Sequence, residues 1–90
     1  MTAALDAEEA LRLGAAALAR VLDLDASLLR ADTPLADLGA DSVARVCFAD
    51  AVEELARTQR GVVITIPDDR LRAAATLGDL VAPLTQGGAR

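Results

Sequence analysis

VVITIP, residues 62–67, is the stretch whose reading decides the fold class. Its β-branched residues have the look of a strand, which would make this a mixed chain. A strand needs a partner, and no second candidate strand occurs in the ninety residues. The segment therefore reads as a buried extended connector ending at Pro67, whose ring biases the residue before it towards extended backbone. What remains on either side must be helix and loop.

Composition points the same way. The chain is 53% apolar, with alanine and leucine dominant, one phenylalanine, and neither tryptophan nor tyrosine. Alanine and leucine favour helix, and little is left from which to build a sheet. The expected class is all-α. Residues 1–90 read as one domain, with a core over about 5–84 and a flexible tail at 85–90. A domain this small buries only about 60–65% of its unfolded surface.

Working outward from the connector, the preceding helix opens at Asp41–Ser42 and runs to roughly Arg57. Gly61 is its expected terminator, and Arg57 and Arg60 suit a helix C-terminus. Its expected buried set is Val43, Val46, Phe48, Val52 and Leu55. After the connector, a short helix is expected over 68–74, beginning in Asp68–Asp69. Thr76 with Asp79 forms a capping box that opens LGDLVAPL, which Pro83 limits to a couple of turns. The first helix spans about Ala7 to Leu22, with Asp6 and Glu9 as its capping-box pair. Leu11, Leu18, Val21 and Leu22 lie near one face, and Gly14 and Ala15 permit close approach.

Residues 23–41 form a loop of unusual length for so small a domain. It is tolerable if Leu24, Leu28, Leu29, Leu35 and Leu38 pin it across the helices, with a short turn near 26–30. The expected architecture is a small four-helix bundle, three main helices and one short, with a long loop between the first two.

Charge and cysteine content exclude several functions. Nine arginines face fourteen acids, for a net charge of −5, with no lysine or histidine. Nucleic acid requires a basic footprint, so that partner is excluded. Acidity suits partners with positive patches, and equally suits simple solubility. Cys47 is the lone cysteine, so no intrachain disulfide can form. No signal-peptide pattern is present, and no window nears the roughly 18 apolar residues of a membrane span. A cytoplasmic monomer is expected.

LGADSV, residues 38–43, places a serine just inside a helix start. Serine and aspartate both cap helices. Asp41 already fills that position, which frees the Ser42 hydroxyl to point outward. The helix N-terminus there favours a phosphate ester. A hydrolase nucleophile would need a base, yet the chain has no histidine or lysine and no GxSxG elbow. Adjacent carboxylates such as Asp68–Asp69 and Glu53–Glu54 read as caps and surface, and no metal-ligand spacing occurs. The chain is not expected to be an enzyme.

LGADSV, then VEEL (52–55), ITIPDD (64–69) and ATLGDLV (75–81), together resemble an acyl carrier protein across about residues 5–84. The resemblance implies that Ser42 receives 4'-phosphopantetheine from coenzyme A, delivered by a phosphopantetheinyl transferase that uses Mg²⁺. Asp41 would support that modification. The arm's thiol would carry an acyl intermediate for a ketosynthase, an acyltransferase or acyl ligase, and tailoring enzymes or a thioesterase. Asp37, Val43, Arg45, Val46, Cys47, Asp50, Glu53 and Glu54 are the docking positions it implies. An acyl chain folding back would need a cavity opened between the helices.

The chain departs from the family pattern in three places. DSV replaces the commoner DSL. Cys47 stands where glutamate is usual, with Arg45 nearby, so the early recognition helix is less acidic. ELARTQRGVVITIP is several residues longer than usual, which lengthens either the second helix or the loop after it. LGADS lacks the GG of peptidyl carriers, and arginine and alanine richness suits a GC-rich bacterial genome. Short ends favour a discrete protein. These features favour a polyketide or related specialised pathway over primary fatty acid synthesis. The alternative of another class is an unmodified interaction domain with the same fold.

Overall fold

The computed structural model describes residues 5–86. They form four α-helices: α1 (Ala7–Leu22), α2 (Ser42–Arg60), α3 (Asp68–Ala73) and α4 (Leu77–Gln86). Among the described residues there is no strand, only an isolated bridge between Pro34 and Thr76. Residues 62–67 are an extended connector in which Val62, Ile64 and Ile66 are buried while Val63 and Thr65 face out. The protein is all-α, with three main helices and one short one.

Local chemistry sets the helix ends. The Asp6 carboxylate accepts the Glu9 N–H at 2.8 Å and starts α1. Thr76 and Asp79 cap α4 reciprocally: the Asp79 N–H reaches Thr76 Oγ1 at 3.2 Å, and the Thr76 N–H reaches Asp79 Oδ2 at 3.2 Å. Gly61 ends α2 in the left-handed region, at φ 67°, where a side chain would be strained. The extra residues after the second helix lengthen it: α2 continues three residues past Arg57, to Arg60. There Arg60 meets the Glu9 carboxylate and ties the end of α2 to the start of α1.

Small residues let the main helices close up. Ala10, Ala17, Ala44, Ala49 and Ala56 are buried, around a centre of Phe48, Leu18, Val52 and Leu84. At Gly14 a Cβ would run into the Val81 side chain, so this glycine sets how closely α1 and α4 pack. Among the described residues the core contains no buried polar side chain.

The long loop is ordered by more than its leucines. A 3-10 turn at Ala26–Leu28 falls where a turn was expected, and a second occupies Leu35–Leu38. Leu35 N–H to Ala75 O (2.9 Å), Leu77 N–H to Thr33 O (3.1 Å) and Gly78 N–H to Ala31 O (2.7 Å) stitch the loop to the α3–α4 junction. Leu29 and Leu35 are buried, whereas Leu24 and Leu28 are exposed and pin nothing.

Two further expectations are corrected. Val43 and Val46 are 68% and 55% exposed, so the inward stripe of α2 is Ala44, Phe48, Ala49, Val52 and Ala56, with Leu55 half-buried. Pro83 does not cut α4 short, because the helix passes through it to Gln86. The donor that proline lacks would have served Asp79, an exposed first-turn residue whose carbonyl water can satisfy. Thr85 and Gln86 of the expected tail are thus helical, and the rest of it lies outside the described residues. No helix among the described residues is long and apolar enough to cross a membrane.

Candidate functional site

The start of α2 is shaped by the turn before it. The second 3-10 turn ends at Gly39, which takes φ 73° and donates its N–H to Ala36 O at 3.2 Å. Ala40 follows, buried, with its N–H on Leu35 O at 3.2 Å. Asp41 is then extended, and its carboxylate accepts the Ala44 N–H at 2.8 Å. One aspartate thereby caps the helix. Ser42, in the first turn, is exposed and left with no capping task.

That position suits an ester to phosphate. The first-turn N–H groups of a 19-residue helix converge there with the positive end of its dipole. Beside it, a cleft of about 160 Å³ between α2 and α3 is lined by Ser42, Arg45, Val46, Asp68, Leu71 and Arg72. Larger hollows of about 330 and 260 Å³ lie along α4, and Ser42 lines neither. Among the described residues no group of three or more histidine, cysteine or acidic side chains could hold a metal.

The expected docking residues separate into two sets. Val43, Val46, Cys47, Asp50 and Glu54 are exposed on α2 along with Ser42, and Asp37 is exposed on the preceding turn. Glu53 is half-buried, and its carboxylate accepts the Ile66 N–H at 3.4 Å, which holds the connector against α2. Arg45 is also turned inward. Its Nη1 donates to the carbonyls of Leu71 (3.0 Å), Arg72 (3.2 Å) and Ala74 (2.8 Å), and its Nε donates to Ala40 O at 3.3 Å. Arg45 is a clamp between the turn, α2 and α3, and its charge is taken up by backbone carbonyls.

Sequence reasoning missed this clamp, and it missed Asp68, Leu71 and Arg72 as cleft residues. The available signal was an arginine three positions after Ser42, on the half-buried flank of the helix, opposite a six-residue helix with no side-chain cap of its own.

The helix start thus presents an exposed serine beside a small cleft, with the capping task taken by its neighbour Asp41. A family model described as "Phosphopantetheine attachment site" matches residues 15–84, and the chain belongs to that family. No match was found among curated proteins or among solved structures. The protein is therefore a non-catalytic carrier whose cofactor is 4'-phosphopantetheine.

Proposed function

We propose that Ser42 carries the 4'-phosphopantetheine arm and that the protein presents thioester-bound intermediates to the enzymes of a polyketide or related specialised pathway. The observation that carries the assignment is the division of labour at the helix start: Asp41 caps, and Ser42 is exposed beside the cleft. When bound, the arm supplies a thiol that holds an acyl group as a thioester. In the loading reaction the Ser42 oxygen displaces the adenosine bisphosphate of coenzyme A from phosphorus, and the hydroxyl proton passes to a base of the transferase. Asp41 holds the helix start rigid while this happens, and its exposed position leaves it accessible to the transferase and its Mg²⁺.

The chain contributes tethering, which raises the effective concentration of cargo beside each partner. The exposed face of α2 supplies the docking surface: Val43 and Val46 are its apolar centre, with Asp50, Glu54 and Asp37 at its rim. Rim charges govern encounter more than residence, as a carrier that must release its partner requires. Ketosynthase, acyltransferase or acyl ligase, and tailoring enzymes or a thioesterase are the partners this reading implies. The pathway assignment rests on LGADS without GG before the serine, and on a recognition helix that holds Cys47 where the family usually has glutamate.

Intact mass after incubation with a broad-specificity phosphopantetheinyl transferase, Mg²⁺ and coenzyme A tests the assignment. One added phosphopantetheine group is expected on the parent protein and none on Ser42→Ala. Loading of the alanine variant, or failure of several transferases on folded protein, would overturn it and point to an unmodified interaction domain.

A further inference from the structure

The clamp made by Arg45 has a consequence for what can lie beside Ser42. Helix α3 has six residues, too few to hold a helix in water without help, and it has no side-chain N-cap. Its buried anchor is Leu71 alone. Its last carbonyls, with that of Ala74 just beyond, converge on one arginine nitrogen at 2.8–3.2 Å. A cation at a helix C-terminus is favourable both as a donor and against the dipole. The same guanidinium reaches back to Ala40, in the turn that sets up Ser42. Arg45 therefore joins both walls of the cleft, α2 with its leading turn on one side and α3 on the other.

The size of the cleft then matters. At about 160 Å³ it matches a cavity that holds one small ring, a volume near that of a benzene-binding cavity of about 150 Å³. The cleft is partly open to solvent, so longer apolar cargo can be buried between the helices only if α3 swings away from α2, a motion that breaks the Arg45 hydrogen bonds. We infer that Arg45 is a specificity-determining latch: it holds α3 on α2, keeps the cleft beside Ser42 at the size of a small group, and leaves longer chains attached at Ser42 outside the protein. The latch matters for cargo only through the reading of Ser42 as the attachment point.

The test attaches cargo without a transferase, so that the two readings fail separately. Full-length Ser42→Cys, Cys47→Ser protein is alkylated at the introduced thiol with N-methyl or N-octyl iodoacetamide. Arg45 is retained or replaced in Arg45→Ala and Arg45→Lys, and amide spectra and hydrogen exchange are recorded. With Arg45 retained, the octyl and methyl products should have the same Leu71 and Phe48 amide shifts. In Arg45→Ala, octyl-specific shifts should appear at both amides, and the Leu71 amide should exchange at least ten-fold faster relative to that of Leu18. Arg45→Lys should fall between, since an ammonium can reach some of the carbonyls. Val81→Ala, which loosens the α1–α4 contact away from the cleft, should show no octyl-specific shift. The inference is overturned if the octyl chain enters with Arg45 in place, if Arg45→Ala leaves it outside, or if Val81→Ala admits it equally. A failed enzymatic loading would sink the Ser42 assignment and leave this result standing.

Discussion

The Asp41 carboxylate receives the Ala44 N–H at 2.8 Å, and this one hydrogen bond separates the structural role of Asp41 from that of its neighbour Ser42. The two residues should respond differently to substitution. Asp41→Ala removes the cap and should destabilise the fold by about 1 kcal/mol. Ser42→Ala, at an exposed site with no capping contact, should stay within about 0.5 kcal/mol of the parent. Urea denaturation of both variants checks this. A larger loss for Ser42→Ala would return the serine to a structural role.

The acids of α2 should also divide. Asp50→Asn and Glu54→Gln remove exposed charges, so each should slow transferase loading about two- to five-fold at low salt, with the difference vanishing at high salt. Glu53→Gln instead weakens the contact to Ile66 N–H and should lower the denaturation midpoint more than either. Loading rates over a salt series, beside urea curves, separate the two behaviours.

Packing between α1 and α4 hinges on Gly14 and Val81. Alanine in place of glycine would ordinarily favour a helix by about 1 kcal/mol. Here its methyl meets the Val81 side chain, and overpacking of this kind costs about 1–3 kcal/mol, so Gly14→Ala should be net destabilising. Adding Val81→Ala should recover part of the loss. A double-mutant cycle in urea should give a coupling of at least about 0.5 kcal/mol.

Acid should loosen the cap of α4. The Ala75 N–H, then the Thr76 N–H, hold the Asp79 carboxyl below the ordinary aspartate range. A group depressed in the folded state contributes stability that is fully present above its unfolded pKa. That contribution is lost as pH falls through the lower, folded value. Parent and Asp79→Asn should therefore differ most above about pH 4, near the unfolded aspartate value, and converge below it. Stability measured between pH 6 and 2 would show the convergence; parallel curves throughout would rule the contribution out.

The Arg60–Glu9 pair joins the end of α2 to the start of α1, yet the arginine side chain is 45% exposed. Arg60→Ala should consequently cost less than about 1 kcal/mol, and the loss should shrink with added salt. Thermal melts at two salt concentrations measure it.

Much of this architecture was legible in local sequence because local contacts create it. Asp6, Asp41 and Thr76 with Asp79 mark helix starts by hydrogen bonds that span three residues, and Gly61 marks an end because its backbone must take a positive φ. The absence of a second strand candidate settled VVITIP as a connector. The exposed, uncommitted position of Ser42 followed from its place one residue after a cap. Tertiary structure alone decided what depends on neighbours far along the chain. Val43 and Val46 are apolar enough for a core, but α2 turns them outward and fills its inner face with Ala44, Phe48, Ala49, Val52 and Ala56. Leu24 and Leu28 find no surface to cover, while Leu35 is locked by a backbone bond to Ala75. Arg45 reads as a surface charge until α3 arrives, 26 to 29 residues later, and presents the carbonyls that its guanidinium gathers.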